Sequence, residues 1–98
     1  MNFTLNYSDT AKENIIELKN TLHLEKRYKA VTKALCRLAE NPKHPSLQTH
    51  VYHSIIGPNG KKVFEAYAEN DTPAAYRILF CYGSVRGEID VLMITPHP

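Results

Sequence analysis

Arg77 stands inside an apolar run, Ala75-Tyr76-Arg77-Ile78-Leu79-Phe80, where a charge needs a partner or a task. Pairing with Glu65 or Glu69 on a neighbouring strand, or snorkelling to the sheet surface, would satisfy it. Its five-donor guanidinium on a rigid strand is equally suited to gripping an anion. His97 lies between two prolines in Thr95-Pro96-His97-Pro98. Histidine is the side chain that exchanges protons near neutral pH, as a phosphoryl-transfer step requires. The flanking prolines restrict the backbone, whereas a position at the end of the chain favours fraying.

Glu65, Tyr67 and Glu69 alternate onto one face of a strand, with Phe64, Ala66 and Ala68 on the other. If Arg77 opposes them, carboxylate, phenol and guanidinium converge on one patch. Such a set is more often an ion-pair cluster than an acid-base pair. Tyr52, Tyr67, Tyr76 and Tyr82 suit either the stacking of unpaired bases or cross-strand packing. His44, His50 and His53 match no metal-ligand spacing, and His50 reads as a hydrogen-bonding residue where a loop enters the sheet. Gly57-Pro58-Asn59-Gly60 opens a strand rather than a helix, so it is no phosphate loop. No metal and no cofactor is implied.

The elements that must position these residues follow from periodicity. Phe3 to Tyr7 alternates as a short strand. Ser8 or Thr10 can cap a helix carrying Ala11, Ile15, Leu18 and Leu22 at helical spacing. A second helix begins near His23, with Leu24, Tyr28, Val31, Leu35 and Leu38 on one stripe and Lys26, Lys29, Lys33 and Arg37 opposite. That basic row is a solvated face or, less commonly, a phosphate contact. Asn41-Pro42 ends the helix. Strands are expected over 50–56, 62–69, 74–82 and 88–95, the last two joined by a glycine-flanked reversal. The fold class is α+β: an N-terminal strand and a helical hairpin packed on one face of a twisted, mainly antiparallel sheet.

Ninety-eight residues form one domain around one core, 1–98. A net charge of +2 is too small to bind nucleic acid by charge alone. The short apolar runs and the start Met1-Asn2-Phe3-Thr4 predict neither export nor membrane anchoring. Cys36 and Cys81 lack a disulfide framework, which suits a reducing, cytoplasmic compartment.

In order and spacing, these segments resemble the RelE/ParE family of bacterial toxins from type II toxin-antitoxin systems. The resemblance spans nearly the whole chain. It is carried by the helical hairpin, by Leu38-Ala39-Glu40-Asn41-Pro42 with His44-Pro45-Ser46-Leu47 and His50, by Ala75 to Phe80, and by Ile89-Asp90-Val91-Leu92-Met93-Ile94 leading to His97. The segment from Val63 to Tyr82 looks like one uncharacterised, RelE-like branch.

The resemblance implies a toxin neutralised by a cognate antitoxin protein and acting as a ribosome-dependent messenger RNA endoribonuclease. Arg77 would then contact the scissile phosphate, and His97 would match the histidine some relatives place at the end of the chain. Attack by a ribose 2′-hydroxyl needs a base, a cation and an acid, and Glu65 is the candidate for the third group. RNA contacts would fall to Lys33, Arg37, Lys62 and Tyr67. RelE itself carries catalytic lysines on the strand before the arginine, where this chain has Glu65, Tyr67 and Glu69. The resemblance therefore also admits a ParE-like, non-enzymatic inhibitor of DNA gyrase and a catalytically inactive binding member.

Overall fold

A computed structural model describes residues 2–98. Its elements are β1 (Thr4–Tyr7), α1 (Asp9–Asn20), α2 (Glu25–Glu40), β2 (His50–Ile56), β3 (Lys62–Tyr67), β4 (Tyr76–Tyr82) and β5 (Glu88–Pro96). Ser8 caps α1: its Oγ accepts the Ala11 N–H at 3.0 Å and its hydroxyl donates to the Leu92 carbonyl at 2.6 Å. The cap thus satisfies a free helix N–H and ties the start of α1 to β5. Thr10, the alternative cap, lies inside the helix.

The five strands form one sheet in the order β1-β5-β4-β3-β2. Neighbours are antiparallel except for β1 and β5, which pair in parallel with Leu5 opposite Ile89. The helices cover one face, where Leu18, Val31, Leu38, Ile78, Phe80 and Val91 are fully enclosed. Each such side chain contributes roughly 1.5–3 kcal/mol by leaving water. Alternation sends Val63, Glu65 and Tyr67 of β3 and Arg77, Leu79 and Cys81 of β4 to the opposite face.

β3 ends at Tyr67 and β4 starts at Tyr76, so the intervening loop is longer than the alternation predicts. Ala68 and Glu69 both donate their N–H to the Tyr76 carbonyl, which stops the regular ladder. Asp71 and Ala74 in that loop have φ of 56° and 53°, a left-handed backbone uncommon for residues with a Cβ. Arg27 of α2 clamps the loop through the Ala74 and Pro73 carbonyls, each at 3.1 Å. Cys36 is exposed, Cys81 is buried, and both are free thiols. Among the described residues, no helix is long and apolar enough to cross a membrane.

Candidate functional site

The open face of the sheet carries a compact polar cluster. Tyr67 lies opposite Arg77 and Glu65 opposite Leu79, so Glu65 and Arg77 are diagonal neighbours on one face. That geometry brings long side chains together. Arg77 Nη1 donates to Glu65 Oε2 at 2.6 Å, and the two side chains are only 7% and 3% exposed. His50, opposite Glu65 on β2, places Nε2 2.8 Å from Glu65 Oε1. Its Nδ1 lies 2.8 Å from the Gln48 carbonyl. Both hydrogen bonds can be donated together only by the doubly protonated ring.

Glu65 thus has one oxygen on Arg77 and the other on His50. Arg77 is less fully used. Its Nη1 bonds Glu65, its buried Nε has no partner, and its guanidinium carbon lies 5.0 Å from the centre of the Tyr52 ring, whose phenol is a further polar neighbour. Burial works against the guanidinium charge, but Glu65 and Tyr52 outweigh it and the arginine holds its proton more tightly than usual.

The Tyr67 ring continues the cluster, 5.8 Å from His50 and 6.5 Å from His97 between ring centres. Burial, and then the Glu65 carboxylate, raise the Tyr67 phenol above its ordinary value, keeping it neutral. His97 is exposed, yet its backbone is held: its N–H donates to the Ala75 carbonyl at 2.8 Å as a continuation of the β4-β5 ladder. Its Nδ1 is 2.9 Å from the Pro98 carbonyl, and the same-face alternation of Thr95 and His97 directs it toward the Arg77 side.

No family model matches the chain, and no curated protein matches it in sequence. Solved structures do match in shape. A YoeB/ParE toxin from Agrobacterium tumefaciens superposes with a TM-score of 0.72 at 7% identity, over 98% of this chain and 100% of that one. A YoeB dimer from Staphylococcus aureus gives 0.70 at 10% identity, over 100% of both chains. The archaeal RelE-RelB complex from Pyrococcus horikoshii gives 0.65 at 12% identity, over 98% of this chain and 96% of that one. The chain has the RelE-type toxin fold.

Within this RelE-type fold, the expected site residues separate into three groups. Arg77, Glu65 and Tyr67 come together with His97 on the open face, at the end of the sheet where β5 finishes. Lys33, Arg37 and Tyr67 line a cleft between α2 and the end of β3. Lys62 is at the other end of β3, roughly 17 Å of strand from Tyr67, and joins neither. The pairing of Arg77 with Glu65, one of the two assignments open from sequence, is the arrangement the fold adopts; Glu69 instead accepts the Tyr76 N–H at 2.9 Å and faces Arg27 at 3.7 Å.

His50 belongs to the cluster although its sequence context suggested only a hydrogen bond at a loop exit. The usable signal was the match between His50-Val51-Tyr52 and Glu65-Ala66-Tyr67, polar residues at period two on both arms of one hairpin. As arranged, each Glu65 oxygen accepts one hydrogen bond, Oε1 from His50 and Oε2 from Arg77. His97 is the exposed ring at the edge of the cluster, and Arg77 keeps a buried Nε without a partner.

Proposed function

We propose that the chain is the toxin of a type II toxin-antitoxin pair and a ribosome-dependent messenger RNA endoribonuclease. The RelE-type fold supports the first part, since one matching structure is a RelE-RelB complex. The second rests on one observation: a guanidinium with an unpartnered buried Nε lies in a cluster with an exposed, backbone-anchored His97 and the neutral Tyr67. In this reading Arg77, steadied by Glu65, supplies positive charge where the phosphorane develops. His97 moves the proton, and Tyr67 stacks a base of the message. Glu65 becomes a positioning residue.

A second reading has a specific observation behind it. Arg77 and Glu65 are almost completely enclosed, as a structural ion pair would be, and this favours a non-enzymatic toxin that binds a protein target such as gyrase. Inducing the protein without an antitoxin and mapping RNA 5′ ends separates the two. New ends within translated messages, absent for His97→Ala, support the nuclease. Growth arrest with intact messages, unchanged by His97→Ala, rejects it.

A further inference from the structure

We infer that the cleft between α2 and the end of β3 is a phosphate subsite for single-stranded RNA, adjacent to the reacting cluster and separate from it. The inference rests on the nuclease reading above and adds how the strand is held.

Lys33 and Arg37 are spaced i,i+4 on α2 and both line this cleft. Like charges at that spacing repel and destabilise the helix. Among the described residues, neither has a carboxylate within ion-pairing distance, whereas Lys29 on the same helix is paired with Glu25 at 3.4 Å and Arg27 is committed to the 69–76 loop. The uncompensated charge is therefore concentrated in the cleft. Arg37 is also pre-set: its Nη1 donates to Ser46 Oγ at 3.1 Å, and Ser46 is in turn bound to His44 Nδ1 at 2.7 Å. A fixed guanidinium loses less freedom on binding an anion than a free one does.

The walls include the small or apolar Ala30, Ala34 and Leu47, and the cleft volume is about 240 Å³. That is below the size of a drug-sized pocket and suited to a phosphate with part of its sugar. Tyr67 lines the cleft and also lies 6.5 Å from His97 between ring centres, so one residue joins the two places. A strand whose phosphate occupies the cleft would present the next base to Tyr67 and the following phosphodiester to Arg77 and His97.

The test is fluorescence anisotropy of a labelled single-stranded RNA of about ten nucleotides, titrated with the purified full chain at several salt concentrations. The double variant Lys33→Gln/Arg37→Gln is compared with Lys26→Gln/Lys29→Gln, which removes the same charge elsewhere on α2. The cleft pair should weaken binding on the order of tenfold and lower the salt slope by about 1.4, while the control pair changes both far less. Lys33→Gln alone, which leaves the Arg37-Ser46 contact intact, should lower the slope by about 0.7. Equal losses in the two double variants overturn the cleft while leaving the nuclease reading standing. Absence of RNA binding by the unsubstituted chain at low salt overturns the cleft, and RNA-end mapping then decides the nuclease reading by itself.

Discussion

Glu65 and Arg77 meet diagonally across β3 and β4, 2.6 Å apart, as the only buried charged residues among those described. The carboxylate is the hub: one oxygen takes Arg77 and the other takes His50. Removing Glu65 leaves Arg77 enclosed without a carboxylate, and removing Arg77 leaves Glu65 enclosed with the His50 ring alone.

Arg77→Ala should therefore destabilise the fold by about 3–5 kcal/mol in urea unfolding. The double variant Arg77→Met/Glu65→Leu should be far closer to the unsubstituted protein, because no buried charge remains. A loss below about 1 kcal/mol for Arg77→Ala would mean that water reaches the pair.

Tyr67 tests stacking separately from hydrogen bonding. Tyr67→Phe should bind single-stranded RNA within about twofold of the unsubstituted chain, whereas Tyr67→Ala should lose roughly 1–3 kcal/mol of binding. Equal losses in the two variants would assign the role to the phenol.

Arg27 reaches the Ala74 and Pro73 carbonyls, lies 3.7 Å from Glu69 and sits 5.3 Å from the centre of the Tyr76 ring. Arg27→Met keeps much of the packing and removes the clamp, so it should cost about 1–3 kcal/mol. Hydrogen exchange should quicken at the His97 N–H, whose acceptor Ala75 adjoins the clamped segment. Unchanged exchange at His97 would show that the β4-β5 ladder holds the histidine without the clamp.

The two thiols should behave differently. Cys36 is exposed and should react promptly with a thiol reagent; Cys81 is buried, and burial followed by the Asp90 carboxylate raises its thiol above the ordinary 9.0, so it should react only on unfolding. Burial also raises Tyr7, Tyr67, Tyr76 and Tyr82 above 10.0. In each case the folded state keeps a proton that the unfolded chain releases, so the stability is fully present below the unfolded values and is lost as pH rises through the folded ones. Urea midpoints should hold to about pH 9 and then fall progressively, and a midpoint that rises above pH 10 would contradict the assignment.

Several elements were legible because their signals are local. The helical stripe from Leu24 to Leu38 predicted α2, and strands form over the expected 50–56 and over 62–67, two residues short of the expected 62–69, with a register irregularity in β2 between Tyr52 and Ile56. The same alternation placed Glu65 and Tyr67 on one face, and the charge inside Ala75 to Phe80 singled out Arg77. Register was not legible. A shift of one residue between β3 and β4 would place Arg77 opposite a different neighbour without altering either strand's own pattern. Lys62 illustrates the limit: it shares a strand with Tyr67 and yet lies at the far end of it.

What the sequence determined by itself was the inventory of elements, the face each polar side chain takes, and the oddity of a charge in an apolar strand, because these depend on residue types a few positions apart. Tertiary structure alone decided that β1 lies parallel to β5, that Arg77 pairs with Glu65, that His50 joins them, and that Arg27 closes the loop beside His97. Those contacts join residues between 12 and 84 positions apart. They are set by strand register and by how the helices close over the sheet, a collective solution of packing and charge that no short window of sequence contains.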